Sequence, residues 1–175
     1  MDRVDNETMT QDVEARLWSE IGQVRFGMLG LSGRSAGGHF QPMTAFCEPE
    51  TREIWFFTRQ DSAVARETGE SADALFVVQA KDLNFQASIR GTIRVRHDQA
   101  HIDRHWNPMV AAWFPGGKRD PLLTLLRLDV ADAEIWITQG GPLKLAWEIT
   151  KAFATHTTPD VGKHAHIDLT GTRAT

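Results

Sequence analysis

The sequence predicts a mainly β protein with peripheral α structure: a closed or partly closed antiparallel barrel of six or seven strands with short flanking helices. Three observations carry this expectation. Short runs rich in β-branched and aromatic residues recur from Val24 to Arg96, separated by turn-forming clusters such as Ser32–Gly38 and Lys81–Asn84. One run, Phe85–Arg96, alternates throughout, with Phe85, Ala87, Ile89, Gly91, Ile93 and Val95 against Gln86, Ser88, Arg90, Thr92, Arg94 and Arg96. Helical patterns are few, and closing an antiparallel sheet removes its exposed edges.

The elements follow in order. Val13, Leu17 and Ile21 recur at four-residue spacing with acids between them, so residues 11–22 read as an amphipathic helix preceded by Thr8 and Thr10. Strands are expected at Val24–Leu31, His39–Cys47, Glu53–Thr58, Ala74–Lys81 and Phe85–Arg96. The link Asp61–Ser71 is long enough for a short helix, and Gly91 interrupts an apolar face in the manner of a bulge or barrel bend. Helical stretches are expected at Asp98–Trp106 and Pro108–Phe114, followed by a turn at Gly116-Gly117 and a pair of strands, Leu122–Val130 and Ala133–Thr138. Leu145, Ile149 and Phe153 predict a terminal helix. Residues 1–9 read as a flexible start, 10–155 as one domain and 156–175 as a loose tail poor in large apolar groups.

The chain has 175 residues, 41% hydrophobic and 24% charged, which fits one globular domain with a substantial core. With 19 Lys+Arg against 23 Asp+Glu the net charge is -4, so no general electrostatic footprint for nucleic acid exists. The single cysteine, Cys47, cannot form an internal disulfide and lacks zinc-site spacing, and its alternation with Ala45 and Met43 makes it a small core residue. The N-terminus is acidic where a signal peptide is basic, and no run approaches the ~20 apolar residues of a membrane span. A reducing cytoplasm, with no membrane partner, is the expected setting.

Three segments carry chemistry. Ile54–Glu67 joins an aromatic strand to a short helix through Thr58, Arg59 and Ser62, which supply hydroxyls and a cation suited to a phosphate monoester. The same residues also read as an ordinary cap, Asp61 or Ser62, beside a solvated Arg59. In His39–Cys47, Pro42 forbids one ladder hydrogen bond, so the strand is either a plain edge or one whose free backbone groups meet a ligand. Trp106–Pro121 gathers Trp106, Trp113, Phe114, Lys118 and Arg119 around the Gly-Gly turn, either as a packed corner or as a site for a flat ring with an anionic substituent. His97, His101 and His105 recur every four residues, and His164 and His166 lie in the tail, but no further ligand completes a metal site. No hydrolytic triad is present in the pattern.

The ordered series Phe40-Gln41-Pro42-Met43-Thr44, Ile54-Trp55-Phe56-Phe57-Thr58, Asp61-Ser62, Ser88-Ile89-Arg90-Gly91-Thr92, Trp113-Phe114-Pro115-Gly116, Asp120-Pro121 and Ala133-Glu134-Ile135-Trp136 resembles the pyridoxamine 5'-phosphate oxidase-like family, in its general stress protein 26 branch. The resemblance covers about residues 10–155. It implies a split barrel that binds flavin mononucleotide (FMN), forms a homodimer and holds a flavin at each of two sites between the subunits. Residue by residue, Pro42, Met43 and Thr44 match the strand beside the isoalloxazine, Phe57 and Thr58 the strand along the ribityl chain, and Ser62 the hydroxyl that holds the phosphate. Trp113 matches a residue at the site or its mouth, and Lys118 or Arg119 from the partner chain is the cation expected near the pyrimidine edge. One departure is Val64, standing where the branch carries a phosphate-binding Lys; Arg59 or Arg66 is the candidate replacement. The implied function is an FMN-dependent oxidoreductase acting on a small-molecule substrate or a nicotinamide donor, with no catalytic residue designated. The alternative is a non-catalytic stress or sensor protein that binds FMN or another phosphorylated ligand.

Overall fold

A twelve-residue run of alternation forms a strand that is paired along both of its edges. In the computed structural model, which describes residues 3–32, 39–138 and 162–171, this run is strand β6, Phe85–Arg96, with Phe85, Ala87, Ile89, Gly91 and Ile93 buried. The elements before it are helix α1 (Arg3–Val24), strands β1 (Phe26–Ser32), β2 (Gln41–Thr44), β3 (Phe46–Glu48) and β4 (Glu53–Arg59), helix α2 (Ala63–Thr68) and strand β5 (Ala72–Gln79). After it come helices α3 (Gln99–His105) and α4 (Pro108–Ala111), a 3-10 turn at Gly117–Arg119, and strands β7 (Leu123–Ile137) and β8 (Lys163–Asp168). Every pairing is antiparallel, so the expected mainly β barrel with peripheral helices is the fold observed.

The sheet runs β2-β1-β5-β6-β7-β4-β3, and its two outer members are joined through one residue, Ala45. The expected strand His39–Cys47 is therefore two strands. It leaves β1 at Thr44 and joins β4 at Phe46, which carries the sheet round on itself and brings its two edges together without a ladder between them among the described residues.

Two further expectations are corrected by β7. The predicted strand pair Leu122–Val130 and Ala133–Thr138 is a single strand, because both halves pair with β6 and leave no partner for each other. The polar, small-residue break between them is a bulge: Arg90 faces Asp132 and Gly91 faces Val130, so Ala131 has no counterpart on β6. At this point β7 changes its second neighbour from β4 to β8, and Leu169 N donates to Ala131 O at 2.7 Å. Part of the segment expected as a loose tail is thus a strand, with Ile167 and Leu169 both 3% exposed in the core. Its apolar content is small but falls on the one face that meets the barrel. The expected terminal helix around Leu145, Ile149 and Phe153 lies outside the described residues.

Helix α1 extends beyond the expected 11–22 and takes in residues assigned to a flexible start. Leu17, Trp18 and Ile21 enter the barrel core. Buried Glu14 accepts from Arg52 Nε at 3.0 Å and Nη2 at 3.1 Å, so the charge is paired where it leaves water. A second apolar cluster lies outside the barrel wall, where Ile102, Val110 and Phe114 of the α3–α4 segment cover Phe46, Trp55, Leu123 and Leu125. Among the described residues no helix is long and apolar enough to cross a membrane.

Candidate functional site

Backbone direction locates the site. Gln60 N donates to Leu122 O at 2.7 Å and Val130 N to Arg52 O at 3.0 Å, both in the β4–β7 register. Even-numbered residues of β4 therefore direct their backbone groups at β7, and odd-numbered ones direct them away, towards β3. Ala45 N donates to Arg25 O at 2.7 Å, which by the same alternation turns Gln41 and Met43 towards β1 and turns Pro42 and Thr44 outward. Pro42 thus stands where the β1–β2 ladder needs no N–H.

The β3–β4 ladder pairs Glu48 with Glu53 and Phe46 with Trp55. Its next rungs would set Thr44 opposite Phe57 and Pro42 opposite Arg59, but pairing stops at Phe46 because β2 has turned to β1. The result is a seam between β2 and β4. Among the described residues no ladder partner meets the backbone N–H and C=O of Thr44 and Phe57 or the C=O of Pro42. Such groups require a partner from outside the ladder.

Side chains alternate across the same seam. Met43 packs towards the barrel core, whereas Phe57 joins the outer cluster, meeting Phe46 edge-on at 5.3 Å and Trp106 at 6.2 Å between ring centroids. At the end of β4, Thr58 Oγ1 donates to Ser62 Oγ at 3.0 Å, and Ser62 also accepts from Ala65 N at 3.3 Å as the cap of α2. Ser62 Oγ accepts twice, so its own O–H is the donor left over. Arg59 pairs through Nε and Nη2 with the two oxygens of Asp61, each at 2.9 Å, and that hydrogen bond holds the Asp61 carboxyl below the usual range. Arg66 adds to the same field on Asp61.

The expected residues therefore divide. Pro42, Met43 and Thr44 on β2 and Phe57, Thr58 and Arg59 on β4 flank one seam, with Ser62 bonded to Thr58. Trp113 and Lys118 stand apart: Trp113 is 73% exposed, Lys118 Nζ contacts Asp103 Oδ1 at 2.7 Å, and among the described residues no hydrogen bond, ion pair or ring contact joins either to the seam. Trp106 and Phe114, grouped with Trp113 in the sequence, are covered within the chain by the outer cluster. Val64 is buried in the barrel core, 5% exposed, and also lines a small cavity of about 180 Å³ with Leu29, Leu31 and Gln41. The Cys47 thiol is pushed up to about 12 by burial, which disfavours the thiolate.

Glu48 went unnoticed in the sequence. Its carboxylate receives Arg104 Nη1 at 2.6 and 2.8 Å and lies 3.1 Å from His105 Nε2, with His101 Nε2 at 3.7 Å. Those hydrogen bonds outweigh its desolvation and hold it below the usual carboxylate range. The four-residue histidine spacing was the available signal, and it marks an ion-pair face; among the described residues no group of three or more ligands fits a metal.

An antiparallel barrel opened along one seam, with a hydroxyl pair at the end of β4, defines a split barrel. The chain belongs to the pyridoxamine 5'-phosphate oxidase-like family, whose model matches residues 12–160. A protein described as general stress protein 26 from Jannaschia sp. CCS1 is 32% identical over 91% of this chain and 99% of that one, with a TM-score of 0.75. The general stress FMN/FAD binding protein from the phytopathogen Xanthomonas citri is 40% identical over 74% of this chain and 92% of that one, TM-score 0.69. A general stress family protein from Xanthomonas campestris pv. campestris is also 40% identical, over 74% and 90%, TM-score 0.68. No curated protein gives a match.

Proposed function

We propose that this chain is an FMN-binding flavoprotein acting as an oxidoreductase, with the flavin lying along the seam between β2 and β4. The observation that carries the reading is the set of backbone groups the seam leaves free. The pyrimidine edge of an isoalloxazine presents one N–H between two carbonyl oxygens, and the seam supplies N–H donors from Thr44 and Phe57 beside the carbonyls of Pro42, Thr44 and Phe57. Phe57, backed by Phe46 and Trp106, gives the seam an apolar wall. The O–H of Ser62, held by Thr58, suits a phosphate, and Arg59 and Arg66 beside Asp61 are the cations within the same region. The Xanthomonas citri relative's description as an FMN/FAD binding protein supports the choice of ligand.

When bound, the flavin supplies hydride or electron exchange with a small substrate or a reduced nicotinamide. The chain's part is to hold the ring edge, anchor the phosphate and keep water from the wall. A cytoplasmic setting fits a lone cysteine whose thiol is buried. The proposal includes a homodimer with two shared sites: Trp113 and Met109 are exposed together on the α4 segment, and Lys118 lies in the adjoining turn. Neither Trp113 nor Lys118 serves the seam of its own chain, and in a two-fold dimer each can serve the partner's.

The visible spectrum of the purified protein tests the ligand, since oxidised flavin absorbs near about 450 nm. A colourless protein that takes up no added FMN would sink the reading. Oxidation of NADH or NADPH by the loaded protein separates an oxidoreductase from a protein that only binds flavin. Sedimentation over a dilution series tests the dimer: Trp113→Ala should weaken FMN binding and association together, and a monomer holding FMN at full affinity excludes shared sites.

A further inference from the structure

We propose that Glu48 is a positioning residue for the flavin site: it grips helix α3 and thereby holds the Phe57–Trp106 wall of the seam in place. The inference rests on the functional reading above and assigns a role to a residue that touches no part of the seam itself.

The geometry is a short relay. Glu48 is mostly covered and sits at the end of β3, where Arg104, His105 and His101 of α3 converge on its carboxylate. The His105 ring meets Phe46 at 5.1 Å, and Phe46 meets Phe57. Trp106, the cap of α3, touches Phe57 from the other side. His101 stacks on Trp55 with centroids 3.8 Å apart. Asp103 of the same helix binds Lys118, so α3 also links the wall to the turn proposed to serve the partner's site. A helix of seven residues has little stability of its own and depends on such contacts for its place.

The charges around the relay make the grip proton-sensitive. Asp98 and His101 on the α3 segment, Glu53 on β4, Arg127 on β7 over Trp55, and Arg25 over Phe46 all face it, besides Arg104. Burial pushes His105 below its ordinary value, while its hydrogen bond and attraction to Glu48 oppose that push. Removing the Glu48 charge leaves burial unopposed, so His105 would gain its proton at a still lower pH.

The test compares wild type, Glu48→Gln and Glu48→Ala. In flavin-free protein, amide hydrogen exchange across residues 99–106 should quicken at least tenfold in both variants. FMN should bind about tenfold more weakly, as expected for a misplaced wall. The wild-type affinity should fall as pH drops from about 7.5 to about 5.5, and in Glu48→Gln the midpoint of that fall should move to lower pH. A constant loss at every pH would make Glu48 merely structural and overturn the proposal. Unchanged exchange across 99–106 would overturn it too, whether or not flavin binds. A wild type that takes up no FMN, with exchange quickened as expected, would instead refute the functional reading and leave the grip of Glu48 on α3 established.

Discussion

Thr58 Oγ1 donates to Ser62 Oγ across the turn between β4 and α2, at 3.0 Å, and Ser62 Oγ also caps α2 by accepting from Ala65 N. Two roles are joined in one oxygen: it closes the local structure and leaves a hydroxyl proton for an anion. Replacing Ser62 with Ala should weaken FMN by about 1.5–3 kcal/mol, the range for hydrogen bonds to charged groups. Riboflavin, which has no phosphate, should lose little affinity. Titrations of both ligands check this, and equal losses would place Ser62 in folding alone.

Val64 stands two residues beyond Ser62, at the position where a lysine is expected from the family resemblance, yet its side chain belongs to the barrel core. Val64→Lys should therefore not restore a phosphate contact. It should lower stability by about 3 kcal/mol, because it carries an ammonium out of water into the apolar barrel core. Denaturant midpoints measure the loss, and a variant of full stability with tighter FMN binding would show that the lysine escapes the core to reach the phosphate.

Acid should destabilise the α3 segment in two stages. Burial, the larger influence on His105, depresses it below the ordinary histidine value of 6.5. The unfolded chain then takes up this proton first, so the stability is fully present above pH 6.5 and is lost as pH falls from there through the folded value. Glu48 is held below its ordinary 4.5, chiefly by Arg104 and His105 acting against desolvation, and loses its contribution in the window below 4.5. Thermal unfolding followed from neutral pH downward should show the first decline as the pH falls below 6.5. A midpoint that rises in that range would reverse the assigned sign.

Gly91→Ala should cost about 3 kcal/mol, towards the upper end of ordinary point substitutions. A Cβ at Gly91 would lie 2.1 Å from Asp129 O, a backbone atom held in the β7 ladder beside the Ala131 bulge. Chemical denaturation gives the value. A near-neutral result would mean that the bulge shifts to admit a methyl group.

Much of the barrel was legible because period-two alternation is a local property: β6 shows it in Phe85–Arg96, and the turns around it are marked by their own residues. The start of α2 was legible for the same reason, with Asp61 or Ser62 as its cap, and the structure selects Ser62. The resemblance, which rests on an ordered set of motifs, named Pro42–Thr44 and Phe57–Thr58 together but said nothing of why they flank one seam.

That reason is tertiary. Ala45 marks a change of ladder partner from β1 to β4, and the unpaired rung at Thr44 and Phe57 exists only once both ladders have formed. Likewise, no local pattern distinguishes a turn at Ala131 from a bulge, since the choice depends on β6 pairing along both halves of β7. The sequence by itself determined β1, β4, β5, β6 and the barrel class, because these follow from the alternation and turn chemistry of neighbouring residues. The seam, the burial of Val64, the strand at Lys163–Asp168 and the grip of Glu48 on α3 were decided by the curled sheet, which sets residues far apart in the chain within contact of one another.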